Sequence, residues 1–139
     1  MNKLLLTEYK TRDNNIDFEL QFKDKLTLIN GNSGIGKTML FKAIERDTLI
    51  KKTNILCLNF DDITSGNVKH TLNSAKNKVI VIDNADIALN MAQRAQISMD
   101  TSNQYIIFTH STDGFMPSRG SITELEIKDG KGKIKHILL

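Results

Sequence analysis

The sequence has few of the residues that build disulfides, rigid turns or membrane spans. It contains one cysteine (Cys57), one proline and no tryptophan in 139 residues. A single cysteine excludes an internal disulfide and a cysteine-clustered zinc site, and it fits a reducing compartment. No run approaches the roughly 20 apolar residues of a membrane span, and the apolar run 4–6 is too short for a secretory signal. We therefore expect a cytoplasmic protein without a membrane span.

Length and composition are typical of one globular domain. The 139 residues are close to the roughly 150 expected per domain, so a second full domain does not fit. Apolar residues make up 40% and charged residues 25%, which argues against disorder. We expect residues 1–139 to form a single domain.

Positive charge exceeds negative charge only slightly. The net charge of +3 results from 19 basic and 16 acidic residues. Segment 128–135 carries four lysines and one aspartate, which accounts for the whole excess. A nucleic-acid binder would spread basic charge over more of its surface. The sequence thus predicts a local basic edge and supports a nucleic-acid partner only weakly.

Both ends of the chain carry patterns of antiparallel strands. Residues 16–22 alternate between apolar and polar, as in a half-exposed strand, and together with residues 3–9 they predict an antiparallel pair. Residues 122–127 and 133–138 flank Asp129-Gly130, a turn sequence that predicts a hairpin. The margins of the sheet are therefore expected to be antiparallel.

The middle of the chain has the pattern of a parallel sheet. Its apolar runs lack alternation, as in strands buried on both faces, and they occupy residues 26–29, 55–58, 79–82 and 105–108. Segments long enough for crossover helices separate them, at about 39–50, 64–76 and 85–99. In the last segment the apolar side chains from Ala85 to Met99 follow one helical stripe. This order predicts an α/β domain with a mostly parallel central sheet.

Residues 31–38 match the phosphate-binding pattern G-x-x-x-x-G-K-T. They are Gly31, Asn32, Ser33, Gly34, Ile35, Gly36, Lys37 and Thr38. A predicted strand precedes them and a predicted helix follows, which is the context of a P-loop or Walker A motif. Its backbone N–H groups can turn toward phosphate oxygens, while Lys37 supplies a positive charge and the Thr38 hydroxyl can ligate Mg²⁺. We expect these eight residues to bind ATP.

The run 79–82 ends in Asp83, which gives the pattern of a Walker B strand. If this strand lies beside the P-loop strand, the Asp83 carboxylate can hold Mg²⁺ through water. Thr38 and Asp83 are therefore the predicted metal residues. The competing interpretation is that Asp83 caps the following helix.

Three further residues are candidates for catalysis. The run 105–108 ends in Thr109-His110, at the same edge of the sheet as the two motifs, so Thr109 or His110 can reach the γ-phosphate or the attacking water, and His110 is the catalytic candidate. Asn84 follows Asp83 directly. Asp86 lies three positions after Asp83 and could supply a carboxylate there.

In the order of these motifs the chain resembles the ATPase domains of the ABC/SMC type among P-loop NTPases. The resemblance covers most of the chain, and His110 looks like the switch-histidine position. It implies a three-layer P-loop NTPase fold, binding of ATP and Mg²⁺, and nucleotide-dependent dimerisation. The chain departs from the family in lacking the LSGGQ signature and its helical subdomain, and in carrying Asn84 where a catalytic glutamate is usual. AAA+ ATPases share both Walker motifs but normally add a helical lid, for which the residues after 110 leave no room.

These features predict a minimal ATP-binding NTPase that hydrolyses slowly, since an amide at position 84 can orient water but cannot accept its proton. It would act as a nucleotide switch or accessory ATPase through a protein partner or self-association. Two alternatives stay open. One is a small-molecule or nucleoside kinase with Asp61 or Asp62 as its base, and the other is a non-catalytic nucleotide-binding module. Arg94, expected on a solvated helix face, and Arg119 are the arginine-finger candidates.

Overall fold

One mixed sheet carries helices on its surface. The computed structural model describes residues 4–30, 36–59, 66–116 and 120–137. Within these ranges the strands are β1 (Glu8–Asp13), β2 (Ile16–Gln21), β3 (Leu26–Asn30), β4 (Ile55–Leu58), β5 (Val79–Ile82), β6 (Gln104–Phe108), β7 (Ser121–Lys128) and β8 (Lys131–His136). The helices are α1 (Lys37–Ile50), α2 (Asn67–Ser74), α3 (Ala85–Ala88) and α4 (Met91–Met99). None of these helices has the length and apolarity to cross a membrane.

The strands follow the order β1-β2-β8-β7-β3-β6-β5-β4. β6 pairs in parallel with β3 on one side and with β5 on the other, and β4 extends the sheet beyond β5. The expected mixed α/β sheet is confirmed. The prediction that the strand ending at Asp83 lies beside the P-loop strand is wrong, because the chain leaving β5 returns through α3 and α4 to insert β6 between β3 and β5.

The expected single helix over residues 85–99 is two helices. The chain leaves α3 at Leu89, and Asn90 begins α4 with a capping box: its side chain accepts from Gln93 N–H at 2.8 Å, and the Gln93 side chain accepts from Asn90 N–H at 2.9 Å. This new start changes which side chains face the sheet. Met99, a member of the predicted apolar stripe, is 51% exposed.

The N-terminal hairpin lies further along the chain than predicted. Residues 4–7 lie outside any strand, and β1 begins at Glu8 and pairs antiparallel with β2 through a turn in which Asn14 and Asn15 both have positive φ. The segment before β1 is held by a side chain and not by strand pairing. The Gln104 side chain accepts from Leu6 N–H at 2.9 Å and donates to Leu6 C=O at 2.8 Å, so this backbone is bonded to a side chain of β6.

The C-terminal hairpin is confirmed. β7 and β8 pair antiparallel around a turn in which Asp129 and Gly130 have positive φ, as the Asp-Gly sequence predicts. β7 also pairs in parallel with β3, and β8 pairs in parallel with β2. The hairpin therefore joins the N-terminal pair to the rest of the sheet.

Two hydrophobic clusters cover the two faces of the sheet, because alternate residues of each strand point to opposite sides. Leu28, Ile80 and Ile107 belong to one cluster, and the neighbouring residues Ile29, Val81 and Phe108 belong to the other. The first cluster includes side chains of α2, α3 and α4, and the second includes α1 together with residues of β2 and β8. The central strands are thus buried on both faces, as their continuous apolar runs predict.

The outer strands expose a face of mixed charge, which we call the charged face. Its exposed residues are Glu8, Lys10, Arg12, Asp17, Glu19, Glu124, Glu126, Lys128, Lys131, Lys133 and Lys135. Lys133 lies directly opposite Glu126, and Lys135 opposite Glu124. The local basic edge predicted from segment 128–135 is therefore wrong, because carboxylates of the neighbouring strands lie among its lysines.

Candidate functional site

A cleft lies where the carboxyl ends of β5 and β6 meet the start of α1. It is lined by Lys37, Thr38, Asp83, Asn84, Phe108, Thr109 and His110. Five of the predicted site residues thus line one cleft, although they come from three separate parts of the chain. Of the other predictions, Gly31, Asn32, Ser33, Gly34, Ile35, Asp61, Asp62 and Arg119 lie outside the described residues.

Gly36 shapes the entry into α1. Its φ is +81°, and a Cβ placed on it would lie 2.3 Å from Ile127 Cδ1 of β7. Any larger residue would be strained at this φ, and the Ile127 side chain would have to move. The first turn of α1 has no side-chain cap and no acidic residue, so its positive end is available to an anion.

Lys37 is the cation of the cleft. It is 7% exposed, and its Nζ lies 3.2 Å from His110 Nδ1, where a neutral imidazole can accept a hydrogen bond from the ammonium. Burial lowers the pKa of Lys37, while the carboxylates of Asp86 and Asp83 act in the opposite direction. The positive charge is therefore held at a place where it lacks full hydration.

Asp83 is the buried carboxylate of the cleft. It is 9% exposed, and its Oδ1 accepts from Asn84 N–H at 3.0 Å. Burial raises the pKa of Asp83, although the Asn84 bond and the Lys37 charge oppose the shift. The N-cap of α3 is Asn84, without a side-chain cap bond, so the alternative role of Asp83 as that cap is wrong.

Asn84 occupies a backbone conformation that favours its residue type. Its φ and ψ are 51° and 46°, in the left-handed region that asparagine tolerates better than most residues. Its side-chain amide nitrogen lies 3.5 Å from Asp83 Oδ2. The amide is thus directed to the metal-site candidate.

Asp86 and His110 are brought together across the sheet edge. Asp86 Oδ1 accepts from the backbone N–H of His110 at 3.3 Å. The hydroxyl of neighbouring Thr109 is used within the turn, since it donates to Ser111 C=O at 2.6 Å. Of the Thr109-His110 pair, His110 is therefore the residue that contacts Lys37.

Arg94 is not on a solvated face, and that expectation is wrong. It is 6% exposed and donates to the carbonyls of Leu89, Asp113 and Asp86 at 3.1, 2.8 and 2.9 Å. The break at Asn90 sets the helical phase that turns Arg94 inward. The helical periodicity of the sequence carried no signal for this arrangement.

A second polar pair near the cleft was also missed. Asn59 Nδ2 donates to Glu45 Oε2 at 3.1 Å, which joins the end of β4 to α1. The Glu45 carboxylate is close enough to raise the pKa of Asp83, after the larger effect of burial. The available signal was the position of Asn59, directly after a predicted strand that ends at the same sheet edge.

Comparison with known proteins matches the sequence to a family. A family model described as "AAA domain" matches residues 23–126, well over half of the chain. A solved structure described as "RNase-L Inhibitor" is similar with a TM-score of 0.53 and 11% identity, over 91% of this chain and 38% of that one. The chain therefore spans well under half the length of that protein, and the likeness is one of fold. No curated protein matches the sequence.

Proposed function

We propose, from the premise that this chain belongs to the AAA domain family, that it binds ATP with Mg²⁺ in the cleft of Lys37 and Asp83 and hydrolyses it slowly. Family membership makes it a P-loop protein of the nucleotide-binding ATPase class. The residues after 110 leave no room for a helical lid, which predicts that the chain is not an AAA-type protein. The family match shows that this prediction is wrong. The likeness to the RNase-L Inhibitor structure concerns the fold alone.

One observation carries this proposal: a buried ammonium and a buried carboxylate line the same cleft. Burial disfavours both charges, lowering the pKa of Lys37 and raising that of Asp83. A triphosphate would compensate the first charge and a divalent cation the second. The donor set fits this ligand, because carboxylate and hydroxyl oxygens suit Mg²⁺.

In this proposal residues 31–37 bind the phosphates, and Thr38 and Asp83 hold Mg²⁺. The cation would neutralise part of the phosphate charge. Asp86 and His110 are the groups that orient water, and Asn84 assists as an amide. Because no carboxylate follows Asp83 directly, we expect turnover below about 1 per second, the low end of common enzymes.

The wider role is that of a cytoplasmic nucleotide switch or accessory ATPase. It would act through a protein partner or through self-association. We infer a three-layer P-loop NTPase arrangement with a parallel centre. The hydrophobic clusters on opposite faces of β3, β5 and β6 support it.

A non-catalytic nucleotide-binding module is the second candidate. The contact of Asn84 with Asp83 favours it, because this amide is bonded to a metal-site residue and carries no base. The kinase alternative depends on Asp61 or Asp62, outside the described residues, so the described cleft adds no argument for it. Phosphate release from ATP separates the first two functions.

Calorimetric titration of ATP·Mg into two Lys37 variants tests the proposal. Lys37→Met keeps the aliphatic length in the buried position, and Lys37→Ala removes it. Both should weaken binding at least about 30-fold, which corresponds to the low end of the roughly 2–5 kcal/mol measured for truncating a buried charge partner. Lys133→Ala on the charged face is the matched control and should bind like the wild type. Equal affinities in all four proteins would refute the proposed site.

A further inference from the structure

We propose that Arg94 is a positioning residue that holds Asp86 and His110 in one fixed arrangement at the phosphate end of the cleft. The inference rests on the proposed function, since it concerns the two residues assigned there to the attacking water. It depends on hydrogen bonds outside the cleft itself.

The guanidinium of Arg94 joins two segments of backbone through three carbonyl groups. Its Nε donates to Leu89 C=O at 3.1 Å, beyond the end of α3, and Nη2 donates to Asp86 C=O at 2.9 Å, within α3. Nη1 donates to Asp113 C=O at 2.8 Å, in the chain that follows β6. One side chain of α4 thereby fixes both short segments next to the cleft.

Each of those segments carries one residue of the site. Asp86 has its carbonyl bound by Arg94 and its carboxylate bound to His110 N–H at 3.3 Å. His110 lies three residues before Asp113, and its ring contacts Lys37. A movement of the Arg94 guanidinium would therefore displace Asp86 directly and His110 through both connections.

The chemistry of the contact requires arginine. A buried charge is costly unless it is paired, and the described residues give Arg94 three carbonyl acceptors and the Phe115 ring, 5.8 Å from its Cζ. A planar guanidinium can donate in three fixed directions at once, whereas a lysine ammonium is a point charge on a flexible stem. Arg94→Lys retains the charge and loses this geometry.

Amide hydrogen exchange at His110, followed by NMR, tests the positioning without any turnover. The His110 N–H is protected by Asp86, so Arg94→Lys and Asp86→Ala should both accelerate its exchange, by about tenfold or more for a bond that is mostly formed. Tyr105→Phe is the matched control. It removes a buried hydrogen bond to Asp100, just after α4, and touches neither segment. In this control the ratio of the His110 amide exchange rate to the rate of amides that exchange only on global unfolding should stay unchanged.

Phosphate release and ATP affinity give the second readout. Arg94→Lys should lower kcat about ten- to a hundredfold, as small misplacements of catalytic groups do, while the ATP dissociation constant stays within about twofold. In an Asp86→Asn background the same substitution should cost clearly less than in the wild type, because the path through the Asp86 carboxylate is weakened and the path through Asp113 remains.

Two results would overturn the proposal. One is unchanged His110 exchange in Arg94→Lys, and the other is a kcat loss that is fully additive with Asp86→Asn. If the wild type neither binds nor hydrolyses ATP, the proposed function fails, yet His110 exchange still decides whether Arg94 holds the two segments. If Arg94→Lys does not fold, Phe115→Leu replaces it in the exchange measurement, because it removes the ring beside the guanidinium. Faster His110 exchange in Phe115→Leu would support the proposal, and unchanged exchange would overturn it.

Discussion

The cleft and the charged face use ionic side chains in opposite ways. In the cleft Lys37 and Asp83 are 7% and 9% exposed, and each has a small set of specific contacts. On the charged face eleven ionic side chains are exposed, and the Arg12–Asp17 pair at 3.0 Å keeps more than half of each side chain in solvent. Both regions belong to the same sheet.

The difference shows that burial, not the number of charges, determines where a charge has energetic consequences. Exposed pairs gain little because water screens them and long side chains lose entropy when held. A buried charge needs a specific partner, so its removal or displacement has a large effect. Function is therefore expected where charges are few and buried.

A large effect is expected for Asp83. Asp83→Ala should abolish most of the gain in ATP affinity that Mg²⁺ gives to the wild type, a gain we expect to be about tenfold or more if this carboxylate helps to hold the cation. Titrations with Mg²⁺ and with a chelator measure it. Asp17→Ala on the charged face is the control and should keep the full Mg²⁺ dependence. Full dependence in Asp83→Ala would instead move the metal to Asp86 or to residues outside this cleft.

The next prediction concerns Asp47, a partly buried carboxylate beneath the outer strands, and asks whether its contacts contribute strongly to the free energy of unfolding. Its Oδ2 accepts from Tyr9 at 2.6 Å and from Thr11 at 2.7 Å, which joins α1 to β1. Burial acts to raise the pKa of Asp47, but these hydrogen bonds and Arg46 lower it below the usual 3.8. The stabilisation is thus complete above pH 3.8 and is lost as the pH falls through the lower folded-state value.

Asp47→Asn should therefore lower the free energy of unfolding at pH 7 by about 1.5–3 kcal/mol, as expected for hydrogen bonds to a charged group. Urea denaturation measures it, and the difference from the wild type should shrink below pH 3.8. Asp17→Asn should have no resolvable effect at pH 7. A difference that persists unchanged at pH 2 would show that the Asp47 contacts do not depend on its charge.

The next prediction concerns Asn84→Glu, which should raise turnover and lower stability. Asn84→Glu should raise turnover by supplying a carboxylate after Asp83, without tightening ATP binding. It should also lower stability by about 1 kcal/mol, because glutamate fits a φ of 51° less well than asparagine. Asn84→Gln shares the strain and lacks the carboxylate, so it should lose stability without gaining turnover. Equal turnover in both variants would remove position 84 from the chemistry.

The smallest effect is expected on the charged face. Lys133→Ala removes a charge opposite Glu126 and should change neither the urea midpoint nor the ATP affinity measurably, since both side chains are exposed. Urea titration at low and high salt measures the first quantity. A clear loss at low salt only would show that the alternating charges act as a network.

The sequence predicted β3, β5 and β6 because these strands are buried on both faces, and it predicted β4 from its apolar run although β4 is an edge strand in which Leu56 is 37% exposed. The runs 55–58 and 79–82 match β4 and β5 residue for residue, and the P-loop spacing located Lys37 and Thr38 at the start of α1. The bounds of β1 were misplaced because residues 10–13 are all polar, and a strand at a sheet margin needs few apolar residues. Arg94 was misjudged because the two-residue break at Asn90, set by a capping box, changed the helical phase.

The most direct test of the account is an amide NMR titration of the wild type with ATP·Mg. We predict saturable shifts at Lys37, Thr38, Asp83 and His110, with no matching shifts at Glu126, Lys131 and Lys133 on the charged face. Shifts confined to the charged face, or no saturable shifts at all, would contradict the claim that the buried charges of the cleft form the nucleotide site.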